Sequence, residues 1–147
     1  MTTEAAAGEA AAGERRTGGC LCGAVRYETA WPPLLTGVCH CRHCQRQAGT
    51  AFSVLVAVPF AALERTGELT TYEDGSDAGR PVLRKFCGKC GSPVFSETSD
   101  GMAQGMIFIK AGTLDEVGDL APTVHFWTSS AQDWVAFPEG AHKLAAQ

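Results

Sequence analysis

The sequence predicts a mainly β domain, and two observations carry the prediction. Its apolar stretches are short and alternate with turn-forming Gly, Pro and Asp, so no segment reads as a long helix. The seven cysteines fall into three tight clusters, Cys20-Leu21-Cys22, Cys39-His40-Cys41-Arg42-His43-Cys44 and Cys87-Gly88-Lys89-Cys90, and none lies elsewhere. A chain of 147 residues, 45% apolar, suits one domain with a modest core that clustered cysteines can brace.

Taken in order, residues 1–17 hold no periodicity and read as a disordered tail, ahead of a domain over residues 18–138 and a C-terminal tail over 139–147. Residues 24–28 alternate as a strand, and Trp31-Pro32-Pro33 reads as a turn. Residues 35–38 form a short strand leading into the central cysteines. Residues 42–48 read as a short helix ended by Gly49, with Cys44 at its start. AFSVLVAV at 51–58 is the strongest strand, and Pro59 ends it. Further strands are expected over 69–72, 81–86, 94–96, 106–110 and 123–128. Phe52, Phe86, Phe95, Phe108, Phe126 and Trp134 are core by default. Gly88 and Gly91 suit the unusual backbone angles of a metal-binding knuckle.

The cysteine spacing divides into two pairs and a triplet. Zinc favours tetrahedral thiolate coordination with Zn–S near about 2.3 Å, and closed four-cysteine sites are structural. A C-x-x-C on a tight turn wraps two sulfurs around one ion, and a C-x-C on a strand points both to one face. Cys20 and Cys22 with Cys87 and Cys90 therefore make a complete structural set. Cys39, Cys41 and Cys44 supply three ligands and leave a fourth position to water or substrate, the arrangement of a working zinc. Cys20 or Cys22 completing the triplet is the competing grouping. Iron–sulfur ligation and redox disulfides rank behind zinc, because seven is odd and residues 1–18 carry no apolar signal segment. A cytoplasmic location is expected on the same grounds.

A net charge of −4 argues against broad nucleic-acid binding, and no apolar run is long enough to span a bilayer. Basic residues nonetheless gather near the cysteines: Arg42 and Arg46 beside the triplet, then Arg80, Arg84, Lys85 and Lys89. A cationic rim of this kind favours a small acidic ligand. There is no Ser-His-Asp order, no H-E-x-x-H and no Gly-rich phosphate loop.

Several ordered segments carry a resemblance. GGCLCGAVRY (residues 18–27) resembles the opening motif of the glutathione-dependent formaldehyde-activating enzyme family, which includes the centromere protein V domain. CHCRHCQRQAGTAF (39–52) and RKFCGKCGSPVF (84–95) resemble its central and second cysteine motifs. AGTLDE (111–116) follows, with Pro122, His125 and Trp134 in the expected order, so the resemblance covers roughly residues 17–137. It implies a β-tent (Mss4-like) fold of twisted antiparallel sheets with few short helices and two zinc sites. It also implies that Cys20, Cys22, Cys87 and Cys90 are structural and that Cys39, Cys41 and Cys44 surround the working metal. The implied activity is a zinc-dependent carbon–sulfur lyase acting on a small thiol or thiol–aldehyde adduct, in the manner of S-(hydroxymethyl)glutathione synthase. The alternative is a non-catalytic zinc domain that binds glutathione or a protein partner. Leu21 stands where many members have His, and the Lys-Pro-x-Trp ending of the glutathione-linked branch is missing. These departures bear on glutathione rather than on the metal.

Within that frame Arg42 and Arg46 are expected to hold a substrate carboxylate, since guanidinium forks match its geometry. A three-thiolate zinc is a poor Lewis acid, so thiolate capture is the more natural chemistry. His43 is the expected acid–base group beside Cys39, Cys41 and Cys44, and His40 the weaker candidate; either could also be a fourth ligand. His125 reads equally as a core or a pocket residue, and His142 as solvated. Gln45, Thr50 and Ser53 are candidate pocket residues.

Overall fold

The computed structural model describes residues 13–76 and 78–146 of the chain. Eleven strands and two short α-helices are present among them. A three-stranded antiparallel sheet, order β1-β2-β5, joins β1 (Glu14–Gly19), β2 (Arg26–Trp31) and β5 (Leu63–Thr66). An eight-stranded sheet runs β11-β10-β3-β4-β9-β8-β7-β6. It is built from β3 (Leu35–Cys39), β4 (Ser53–Pro59), β6 (Thr70–Asp74), β7 (Val82–Phe86), β8 (Pro93–Thr98), β9 (Met106–Lys110), β10 (Val124–Phe126) and β11 (His142–Leu144). Helix α1 (Arg42–Ala48) follows β3, and α2 (Ser99–Ala103) follows β8. The fold is mainly β, as expected. The large sheet is mixed rather than wholly antiparallel, because β10 pairs in parallel with both β3 and β11. Among the described residues, no helix is long and apolar enough to cross a membrane.

Two differences from the sequence reading concern the ends. Residues 1–12 of the expected tail lie outside the described residues, but Glu14 to Thr17 belong to β1, paired along its whole length with β2. Its ERRTGG sequence has no strand pattern of its own, so the partner strand imposes the conformation. At the other end β11 falls inside the expected C-terminal tail and extends the sheet beside β10.

Alternation along the large sheet divides its faces. Val56 and Val58 on β4, Ile107 and Ile109 on β9 and Phe95 on β8 share one face and are fully buried. They pack with Tyr27 of the small sheet and Val25 just before β2 into the main core. Each such side chain contributes about 1.5–3 kcal/mol on burial. The intervening residues occupy the other face: Leu35 and Cys39 on β3, Ser53 and Leu55 on β4, Phe108 and Lys110 on β9, Ser96 on β8 and Arg84 on β7. Cross-strand pairing of Cys39 with Ser53, Leu55 with Lys110, and Ser96 with both Phe108 and Arg84 fixes their order. A slip of one residue would exchange core and site.

Candidate metal centres

The four-cysteine cluster joins two turns from distant parts of the chain. Cys20 and Cys22 sit in the turn after β1, not on a strand as their spacing suggested, and Cys87 to Cys90 form the turn between β7 and β8. The Sγ atoms of all four lie within 4.8 Å of one another. Tetrahedral ligation at about 2.3 Å sets neighbouring sulfurs about 3.8 Å apart. The Cys20–Cys22 and Cys22–Cys87 sulfur pairs are 3.7 and 3.8 Å apart, so the cluster fits such an ion. Backbone N–H groups also point at the sulfurs: Val25 donates to Cys20 at 3.2 Å and Lys89 to Cys87 at 3.4 Å. Donors in that arrangement suit thiolate ligands. Gly91 has φ +81, as a knuckle requires. Gly88 serves differently: its φ is ordinary, and a Cβ there would lie 2.7 Å from Thr70 Oγ1.

The three-cysteine cluster comes from one short stretch. Cys39 ends β3, Cys41 caps α1 by accepting from the Cys44 N–H at 3.3 Å, and Cys44 lies in the first turn. Gly49, at φ 73, closes the helix by donating to the Gln45 carbonyl, so α1 has the span the sequence predicts. The three sulfurs are buried and lie within 4.8 Å of one another, a fit to three of the positions around a metal such as zinc. Neither Cys20 nor Cys22 joins them, and neither His40 nor His43 supplies a fourth ligand.

Two buried cations face this cluster: Arg84, one of the basic residues the sequence gathers near the cysteines, and Lys110, which it did not single out. Arg84, 3% exposed, donates from Nη1 to Cys44 Sγ at 3.7 Å and from Nε to Asp74 at 3.1 Å. Burial opposes its charge, but the Cys44 sulfur and Asp74 outweigh burial and hold its pKa above the ordinary value. Lys110, 5% exposed, donates to Ser53 Oγ at 2.9 Å. Burial pushes its ammonium down to about 8 against the pull of the cysteine sulfurs. Three thiolates around one divalent ion leave a net negative charge, which these two cations offset. Within the triplet, hydrogen bonds from Cys39 and Cys41 pull the Cys44 thiol far below the usual range, while the contacts to Cys41 and Cys44 push Cys39 up. Strand pairing across tens of residues brings Arg84 and Lys110 here, which is why local sequence gave no signal for Lys110 and placed Arg84 only among the basic residues near the cysteines.

Two cavities meet at Arg84. One is a wide cleft of about 820 Å³ lined by Arg42, His43, Arg46, Gln47, Tyr72, Asp74 and Phe86. The other is a chamber of about 300 Å³ whose wall includes all three cysteines of the triplet. Arg42, His43 and Arg46 therefore share a cavity, but it is the one next to the sulfurs. His43 Nδ1 lies 3.1 Å from Asp74 Oδ1, and through Asp74 and Arg84 it is linked to Cys44. Of the six aromatic residues expected in the core, only Phe95 is fully buried there. Phe86 lines the cleft, Phe108 and Phe126 line the chamber, and Trp134 is 71% exposed. Trp127, at the chamber wall, has φ 58, an uncommon conformation for a bulky residue.

The remaining candidates hold the scaffold. Gln45 donates to the carbonyls of His40 and Ser130 and accepts from Arg42 and Gln132, tying α1 to the segment after β10. His40 Nε2 is 3.0 Å from His125 Nδ1; the two rings stack on each other, and Phe137 meets them tilted and edge-on. Burial lowers the pKa of both imidazoles and favours their neutral forms. His40 Nδ1 has no partner, so the proton belongs on Nε2 as donor to His125. Ser53 supports Lys110, Thr50 is an exposed residue after α1, and His142 is exposed.

A mainly β domain with one four-cysteine cluster and one cavity-facing three-cysteine cluster defines a class of small protein with two sites that could each hold a metal ion. The sequence matches the glutathione-dependent formaldehyde-activating enzyme family over residues 15–130, and the chain belongs to that family. A crystal structure of a Rhodobacter sphaeroides protein from a structural-genomics programme shares the fold, with a TM-score of 0.55 at 22% identity. The match covers 70% of this chain and 91% of that one.

Proposed function

We propose that the protein is a zinc-dependent carbon–sulfur lyase-type enzyme acting on a small thiol or its aldehyde adduct, with Cys39, Cys41 and Cys44 at the working site. The observation that carries this reading is the chamber that opens onto the triplet's sulfurs. Zinc held there would supply an open coordination position that favours a bound thiol in its thiolate form. Arg84 and Lys110 keep the buried sulfurs charged. Arg42 and Arg46 bind carboxylate groups of the thiol in the cleft, as glutathione would present them. With the Nδ1 proton donated to Asp74, His43 accepts and returns a proton at Nε2. The structural role falls to Cys20, Cys22, Cys87 and Cys90.

The test is adduct formation and breakdown followed by NMR on zinc-loaded protein, together with cobalt-substituted protein whose thiolate-to-metal absorption reports ligand entry. Added thiol should shift that absorption, and Cys44→Ser should abolish both signals. An unchanged spectrum at saturating thiol would refute the reading. One feature favours a second reading. His43 and both arginines lie in the cleft, not in the chamber, which suits a non-catalytic zinc domain that binds an anionic thiol such as glutathione. Thiol binding without any effect of the protein on adduct exchange would support it.

A further inference from the structure

The chamber is larger and greasier than a one-carbon aldehyde needs. Its volume of about 300 Å³ corresponds to roughly ten waters at ~30 Å³ each. Leu35, Leu55, Phe108, Phe126 and Trp127 furnish its walls, and all are only partly buried by the protein itself. Leu35, Leu55, Phe108 and Phe126 stand on the sheet face opposite the main core, with Trp127 just past the end of β10, and none belongs to the main core cluster. At one end sit the three cysteines. At the other, the exposed Arg80–Asp100 ion pair (3.1 Å) marks the mouth.

A second feature points to an occupant. Ser96 lines the chamber, is 3% exposed, and its Oγ is buried without a hydrogen-bond partner. An unsatisfied buried hydroxyl costs about 1–3 kcal/mol. Ser96 lies between Arg84 and Phe108 in strand register, where cationic wall passes into apolar wall. The chamber thus offers an apolar body and one unmet hydrogen bond, beside a thiolate-binding cluster. The cationic cleft beyond Arg84 is the counterpart for a charged thiol.

We propose that the substrate is the thiol adduct of an apolar aldehyde of about four to six carbons, not of formaldehyde, with its alkyl or aryl group in the chamber and its oxygen bonded to Ser96. This rests on the thiol-adduct reading above. In the forward direction the sulfur–carbon bond forms as the carbonyl π bond opens, and the thiol proton ends on the new hydroxyl. The reverse step returns that proton to sulfur as the bond breaks, so no oxidant or reductant is needed.

The test titrates cobalt-substituted full-length protein with ethanethiol, butanethiol and hexanethiol, each tail standing for the aldehyde's, and reads the thiolate-to-cobalt band. Affinity should rise roughly fourfold per methylene buried, until the chamber is filled. Val82→Phe, which fills the wall near the mouth, should level the series; metal content and Tm show whether that variant is folded. If it does not fold, Leu55→Asn serves the same purpose by making the wall polar. Equal affinity for all three thiols in the wild-type protein would overturn the apolar-substrate proposal and leave the thiol-adduct reading standing. No spectral response to any thiol would overturn both.

Discussion

The two cysteine clusters use similar ligands to different ends. Cys20 and Cys22 are joined to Cys87 and Cys90 across more than sixty positions, and the pairs tie together the turns after β1 and after β7. Cys20 and Cys87 belong to the main core, so loss of this cluster disturbs the core directly. Cys39, Cys41 and Cys44 come from one stretch and sit on the opposite face of the large sheet, with a cavity before them. Removing Cys44 loses the 3.7 Å contact from Arg84 but leaves the turns after β1 and β7 tied by the other cluster. On the proposed reading, ligands drawn from afar stabilise the fold, whereas those drawn from one segment present the working position.

That contrast sets the order of expected effects. Cys87→Ser should abolish cooperative folding, seen as loss of the thermal transition, because folding and metal binding are linked at closed sites of this type. Cys44→Ser should retain the transition and lose one metal equivalent. Equal damage from the two substitutions would erase the distinction. Arg84→Met leaves the triplet's ligands in place but removes the donor to Cys44, and metal affinity at that site should fall about 10–100-fold in a chelator competition. The four-cysteine site should be unaffected in the same experiment.

His43→Ala sharpens the comparison from the side of chemistry. If His43 moves the proton, adduct exchange should fall about 10²–10⁴-fold with both metals retained. Unchanged exchange would assign His43 to binding alone. The smallest effect lies away from both clusters. Hydrogen bonds from Arg26 and Arg16 hold Asp115 and Asp119 below the usual carboxylate range. A carboxylate with a lowered folded-state pKa contributes stability above its unfolded value of about 3.9, and loses it as pH falls through the folded value. Both groups are well exposed, so Asp119→Asn should lower Tm slightly at pH 7, and by less as pH falls toward the folded value.

Much of the site was legible because its ligands are close in sequence. The spacing of Cys39, Cys41 and Cys44 gave the triplet, and Gly49 gave the end of α1. The valine-rich run gave β4 and its neighbours' alternation. What the sequence concealed depends on strand register. Lys110 and Ser96 reach the site through pairings of β7, β8 and β9 that no local pattern encodes, and the same pairings turn Arg84, legible only as a basic residue near the cysteines, onto Cys44. Asp74 was hidden likewise, since its role follows from β6 lying beside β7. Phe108 and Phe126 looked like core because apolarity does not state which face of a sheet a residue takes. β1 was missed because its strand state is supplied by β2.

The most direct test of the account is metal content per folded chain, by elemental analysis of zinc-grown wild type, Cys44→Ser and Cys87→Ser. About two zinc ions in the wild type and about one in a folded Cys44→Ser protein are predicted, with Cys87→Ser failing to fold. One zinc in both the wild type and Cys44→Ser would contradict the existence of a working metal site at the triplet.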